Sequence, residues 1–455
     1  MVKSAKYEQK KGSLIMTQDM TQGKIMPMLV HFTIPLVLGN LFQLTYNAVD
    51  SIIVGHFVGK EALAAVGICN PITTLFILFL NGLCMGASIL IGMYYGAKEE
   101  KLARQMSTTM LAGLVFSLVL TLVCIVFSPQ ILKFMQVDLS ILNMTTTYLQ
   151  IIFAGLVFTF LYNFFASTLR ALGDSKSPLY FLIISSILNI FGDLFFVVVL
   201  HAGSKGCAIS TVISEALCCV FCILYIQKKV PLLQLGKKWL VFDISLLKRT
   251  IAYGWASAMQ QATVQLGKLG IQMIVNTMGV SVVAAFTAVN RIDDFAYTPE
   301  QNIAHSMTAL MAQNKGAGNN NRMQEGFRCG MVLEFIYGIF IFLVCFIFAK
   351  PLMCLFVQDE EVIMHGVTYL HLISIMYILP AFTNGIQGFF RGIGDLKITL
   401  ISSLVNMTVR VIVAAPLVFS LHLGIEALPY SYLAGWIGML VVELPLLIRT
   451  YEAYE

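Results

Sequence analysis

Charge is what this chain has least of. Of its 455 residues only 12% are Asp, Glu, Lys or Arg, while 58% are hydrophobic, and a soluble domain usually carries about twice that charge. With a mean hydropathy of +0.81, a soluble fold is excluded. Alternating ten-residue strands are also missing, which excludes a closed transmembrane β-barrel. No HExxH, no paired His cluster and no Ser/His/Asp grouping at one level occurs, so the chain is not expected to be an enzyme. The ten cysteines are scattered through apolar stretches, and the lone C-x-x-C, Cys219 to Cys222, has neither His nor a second pair beside it. Packing is the expected role of these thiols, with no disulfide framework and no cofactor. The basic first 24 residues run into no short apolar core with a small-residue cleavage site, so no signal peptide is predicted.

What the chain does have is long apolar runs. Stretches of about 20 apolar residues are membrane spans, and twelve can be read, from 29–54 to 425–448. The expected fold is an all-α polytopic membrane protein with twelve transmembrane helices in two six-helix lobes. The expected divisions are a cytoplasmic tail over 1–24, a first lobe over 25–227 and a linker over 228–247, then a second lobe over 248–449 and a tail over 450–455. Basic residues favour the cytoplasmic side of a membrane. Placing the N-terminus inside puts 22 of the 29 Lys and Arg on that side and four outside, the remaining three lying within spans. Both termini are therefore expected in the cytoplasm, with the protein in the cell (inner) membrane. The net charge of +5 reflects this topology and predicts no nucleic-acid partner.

The two lobes are copies. Gly59, Ala64, Ala65, Asn70, Gly96 and Ala97 recur 220 residues later as Gly279, Ala284, Ala285, Asn290, Gly316 and Ala317. Arg170, Gly173, Asp174 and Lys176 return as Arg391, Gly394, Asp395 and Lys397, and Ser185, Ser186 and Asn189 as Ser402, Ser403 and Asn406. Six helices per copy make both enter the membrane in one direction, the parallel-repeat plan of secondary transporters. The copies differ at their acids: Asp50 is matched by Gly270, and Asp193 by Arg410.

A charge at lipid depth is costly and is usually kept for a task. Asp50 lies in TYNAVDSIIVGH among apolar neighbours, and Asp193 follows Asn189 by four residues in LNIFGDLFFVVVL. That spacing puts both side chains on one helix face, and Thr211 with Glu215 repeats it on the next helix. Two carboxylates, an amide oxygen and a hydroxyl suit a small hard cation and equally suit proton exchange. The structural alternative is a polar cluster that holds helices together. In RIDDFAYTPEQNIAH two readings compete. Either Arg291 simply pairs with Asp294, or Pro299 breaks the helix and opens Glu300 to a cavity where it meets cationic substrate. Asp293, Asp294, Glu215 and Arg410 are further candidates for substrate contact, while Glu334 and Glu443 are read as packing. Pro35, Pro71 and Pro299 should each bend or loosen a helix.

These segments resemble a known family. IPLVLGNLFQLTYNAVDSIIVGHFVG at Ile34–Gly59, ALAAVG at 62–67, RALGDSKSP at 170–178, NRID at 290–293 and AQNKGAG at 312–318 are together similar to the multidrug and toxic compound extrusion (MATE) transporters. The resemblance covers nearly the whole chain and is nearer the DinF-like and MepA-like bacterial branch than the NorM-like one. It implies export of small organic, often cationic or amphipathic compounds across the bilayer by alternating access, driven by H+ or Na+; a monomer is the expected working unit. The family's first-helix Asp falls on Asp50, its Asn-x-x-x-Asp on Asn189 and Asp193, and its sixth-helix Thr on Thr211. A fourth-helix Tyr falls on Tyr148 and a polar Asn of the pocket on Asn163. If sodium is the coupling ion, Asp50, Asn189, Asp193 and Thr211 are its expected ligands. The NorM-like acids of the seventh and tenth helices find no clear match. Two rivals remain as alternatives. One is a flippase of lipid-linked sugars, whose cavity is strongly basic. The other is a major-facilitator exporter, whose Gly-x-x-x-Asp-Arg motif is replaced here by YYGAKEEKLARQ at 94–105.

Overall fold

A computed structural model describes residues 18–135, 137–230 and 241–454. Most of the 1–24 tail, residues 231–240 of the expected linker and Glu455 of the C-terminal tail lie outside the described residues. The described residues form helices and connections only. In chain order these are α1 (Ile25–Phe57), α2 (Lys60–Gly96), α3 (Lys101–Phe134), α4 (Leu139–Ala154), α5 (Leu156–Ala171) and α6 (Lys176–Asp193). A single π-helical turn (Leu194–Val199) prolongs α6, and α7 (Gly203–Lys229) follows. The second half holds α8 (Ile244–Val275), α9 (Val280–Gly316), α10 (Asn320–Ile347), the short α11 (Ala349–Cys354), α12 (Glu360–Met376), α13 (Ile378–Gly392), α14 (Leu396–Phe419) and α15 (Ala427–Glu452).

Eight of these helices are long and apolar enough to cross a membrane, and the pairs α4–α5 and α12–α13, bent by 40° and 47°, make ten. The other two expected spans are α8 and α9, 32 and 37 residues long. Each exceeds the roughly 20 residues a bilayer needs, but Gln260, Lys268, Asp293, Asp294 and Glu300 dilute their apolarity. On α3 the large exposed side chains Leu122 and Val126 are of the kind that lipid covers. The prolines leave their helices continuous, since Pro35, Pro71 and Pro299 lie inside α1, α2 and α9.

The repeat is written in the backbone as well as the sequence. Gly59 and Gly279 precede α2 and α9 with φ of 111° and 99°, where a side chain would be strained. His201 and His422 take φ of 52° and 53° at matched turns. Asp138 caps α4 through Ser140 N, and its counterpart Asp359 caps α12 through Val362 N. The π turn after Asp193 has no counterpart in the second copy, where α14 is α-helical throughout.

The chain divides into two compact units, one of Leu38–Trp255 and one of Met20–Val37 with Ala256–Glu455. The divisions fall inside α1 and α8, because the start of each helix is held by the opposite repeat. In the second unit the Met20 backbone binds Gln313 and Asn314, and Arg322 donates to the carbonyls of Met20, Gln22 and Gly23. In the first unit Gln105 donates to Thr250 and Arg249 to Tyr94. Small residues allow helices to approach closely: a Cβ on Gly86 would stand 2.3 Å from the backbone nitrogen of Gly254.

Candidate functional site

Asp193 ends α6 where the helix widens into the π turn, a distortion frequent at functional sites. Its side chain is 0% exposed, and neither carboxyl oxygen makes a hydrogen bond of regular geometry. Asp50, Ser210 and Cys207 surround it. Burial of a carboxylate without donors costs several kcal/mol, so packing alone does not account for it. Asp50, half-buried on α1, accepts the Cys207 thiol at 2.8 Å. The ligand atoms of Asp50, Asp193 and Cys207 all lie within 4.8 Å of one another. Gly192 lets α6 press on α7, since a Cβ there would stand 2.4 Å from the Ser210 hydroxyl.

Around this trio the other expected residues divide into two groups. Asn189 donates its amide weakly to Ser210 and Thr211 at 3.4 and 3.3 Å, and its own amide oxygen is buried without a partner. The Thr211 hydroxyl donates to the Cys207 carbonyl, so Thr211 braces Asn189 and α7 at the edge of the trio. Buried Tyr148 stands within electrostatic reach of Asp50, Asp193 and Cys207. Glu215 and Asn163 belong to a neighbouring group centred on Thr159, whose hydroxyl donates to Glu215 at 2.6 Å while its carbonyl accepts from Asn163. Tyr46 lies within electrostatic reach of both Glu215 and Asp50.

Cys207 is the residue that reading the cysteines as packing missed. The signal was present: Cys207, Thr211 and Glu215 follow at intervals of four and share one face of α7. The C-x-x-C expectation fares differently, for Cys219 and Cys222 are both free and buried.

The second unit is arranged otherwise. Buried Asp293 accepts the Tyr377 hydroxyl, and the Tyr377 ring meets that of Tyr297 edge to face. The Arg410 guanidinium lies over Tyr432 at 4.3 Å and Trp436 at 4.8 Å, within electrostatic reach of Asp293. Both readings of the Arg291–His305 segment need correction. Among the described residues no ion pair joins exposed Arg291 to half-buried Asp294. Nor does Pro299 break α9, which runs on through it from Val280 to Gly316, with Thr298 bonding back to Asp294 and Asn302 to Thr298 on either side. Glu300 consequently stays 0% exposed, beside Asn384, and opens to no cavity.

Two repeated helical halves entering the membrane in one direction follow the parallel-repeat plan of transporters. The chain belongs to the MatE family, whose sequence model matches residues 35–195 and again residues 256–416. The double match is the internal repeat seen from outside. Membership makes the chain a transporter and not an enzyme. It is 28% identical to the probable multidrug resistance protein YoeA of Bacillus subtilis (strain 168), over 97% of this chain and 96% of that one. It is 22% identical to the multidrug export protein MepA of Staphylococcus haemolyticus (strain JCSC1435), over 82% and 81%. Its fold matches an outward-facing multidrug resistance MATE family transporter of the MOP superfamily with a TM-score of 0.90 at 21% identity, covering 98% of this chain and 99% of that one.

Proposed function

We propose that the protein exports small organic, often cationic compounds from a bacterial cell by alternating access, in exchange for H+ or Na+ bound at Asp50 and Asp193. The observation that carries this reading is the Asp193 carboxyl, fully buried, without a partner, and facing a second carboxyl. Two such groups cannot both stay charged without a cation or proton between them. The site is thus one whose state depends on what it binds, as coupling requires. Sodium would be a second substrate, taken by oxygens of Asp50, Asp193 and Asn189, with Thr211 supporting the last. The basic loops support cytoplasmic termini, and a monomer is the working unit of this proposal.

Efflux of a fluorescent organic cation from proteoliposomes, under separately imposed pH and Na+ gradients, tests the proposal. Wild-type protein is expected to respond to one gradient. Asp50→Asn and Asp193→Asn variants are expected to lose that response while remaining folded. Gradient-driven efflux undiminished in both variants would sink the coupling assignment.

A further inference from the structure

The trio on α1, α6 and α7 contains more than a proton or a hard monovalent ion needs. Oxygen atoms alone serve such ions, yet Cys207 adds a sulfur whose hydrogen is directed at Asp50 Oδ1. Other buried thiols behave differently: Cys69, Cys218 and Cys219 donate to the backbone carbonyls of Thr145, Phe181 and Phe158, as small core residues do. We propose that Asp50, Asp193 and Cys207 form a binding site for a thiophilic divalent cation, Zn2+ or Cd2+, which blocks transport by competing with the coupling ion. The blocking rests on the function proposed above; the binding does not.

Four observations support the site. Among the described residues this is the one group of three Asp, Glu, His or Cys side chains whose ligand atoms come together. Bond lengths of about 2.0–2.3 Å to zinc place tetrahedral ligands about 3.5 Å apart, so atoms already within 4.8 Å need only small side-chain rotations. The acceptors are unsatisfied: both Asp193 oxygens and the Asn189 amide oxygen are buried without partners, a loss of hydration that a cation would restore. Charge permits it as well, since a divalent ion with two carboxylates and a thiolate leaves one net negative charge, no more than a monovalent ion leaves with the two carboxylates and a neutral thiol. Binding replaces the thiol proton by the metal and releases it to solvent, as thiolate ligation requires. Half-buried Asp50 is the point of access. Sulfur in the ligand set selects Zn2+ or Cd2+ against Mg2+ and Ca2+, which favour oxygen.

The test uses purified full-length protein and Cd2+ alone, read by the ultraviolet cadmium–thiolate charge-transfer band and by equilibrium dialysis. Wild type is expected to bind one Cd2+ more than Cys207→Ser, with the extra band absent from the variant and unaffected by excess Mg2+. Asp193→Asn retains the thiol and is expected to weaken that Cd2+ at least tenfold, which keeps the test decisive should Cys207→Ser fail to fold. Equal Cd2+ stoichiometry and absorbance in wild type and the folded variants overturns the site. Cd2+ is also expected to arrest efflux by wild type and to arrest Cys207→Ser at least tenfold less readily. Cd2+ that binds at Cys207 without arresting efflux overturns the blocking role alone. Loss of the acids' role in coupling would show in the gradient assay and leave the Cd2+ band unchanged.

Discussion

At one matched position the two halves of this chain make opposite choices. Asp193 in the first unit is buried beside another acid and makes no hydrogen bond of regular geometry. Arg410 in the second unit lies against the faces of Tyr432 and Trp436, with Asp293 in electrostatic reach and Tyr377 donating to that acid. The first position holds an acid without a regular hydrogen bond; the second holds a cation on a side chain. On the proposed function, one scaffold holds an exchangeable charge at this position in one copy and a tethered charge in the other. The contrast extends to the backbone, for the π turn follows Asp193 and nothing like it follows Arg410.

Substitutions at Asp193 and Arg410 should have opposite consequences. Asp193→Asn should reduce gradient-driven efflux to the level of an uncoupled leak, a loss of at least about tenfold given that the charge change itself is removed, with little effect on the melting temperature in detergent. Arg410→Ala should do the reverse. It removes a half-exposed cation from two aromatic faces, worth about 2 kcal/mol, and should lower the melting temperature while the response to ion gradients persists. If Arg410→Ala abolished the gradient response at unchanged stability, the two units would not differ as described. Gly435→Ala sharpens the same point, because its Cβ would stand 2.5 Å from Arg410 Cγ and 2.9 Å from the Asn406 carbonyl. Forcing two helices apart there should cost about 1–3 kcal/mol, seen as a lower melting temperature. Tyr377→Phe leaves the buried Asp293 without its donor, at about 1 kcal/mol, measured in the same way.

These two sites were unequally legible in the sequence. Asp50, Asn189 and Asp193 stand out because a polar side chain in an apolar run is rare, and spacing by four assigns a shared face. Arg410 was visible as a reversal of sign once the repeat was aligned, but Tyr432 and Trp436 lie on another helix and nothing local ties them to it. Cys207 was hidden by its own chemistry, since a thiol in an apolar helix reads equally as packing. The π turn runs through LFFVVV, a segment with no glycine or proline to mark it. Pro299 misled in the other direction, because a long membrane helix can carry a proline without breaking, and α9 continues past it to Gly316. The division of α1 and α8 between units was equally silent, as hydrophobicity continues through both divisions while the contacts that decide it come from the opposite repeat.

The smallest expected effect is also the most specific to the first unit. At Gly192 an added methyl would meet the Ser210 hydroxyl at 2.4 Å and its Cβ at 3.2 Å, with the Ser210 backbone no nearer than 3.7 Å. A hydroxyl can rotate away where the carbonyl opposite Gly435 cannot, so Gly192→Ala should cost only about 1 kcal/mol, the worth of the Ser210 bond to the Asn189 carbonyl. That bond joins α7 to α6 one turn before Asp193, and losing it should tilt the acid relative to Asp50. The expected signature is a several-fold rise in the ion concentration giving half-maximal efflux, with maximal efflux kept and the melting temperature nearly unchanged. Gly435→Ala should show the opposite pair of results. Equal shifts in ion dependence from both alanines would mean that the second unit also takes part in coupling, and that the tethered charge at Arg410 is not a substitute for a bound one.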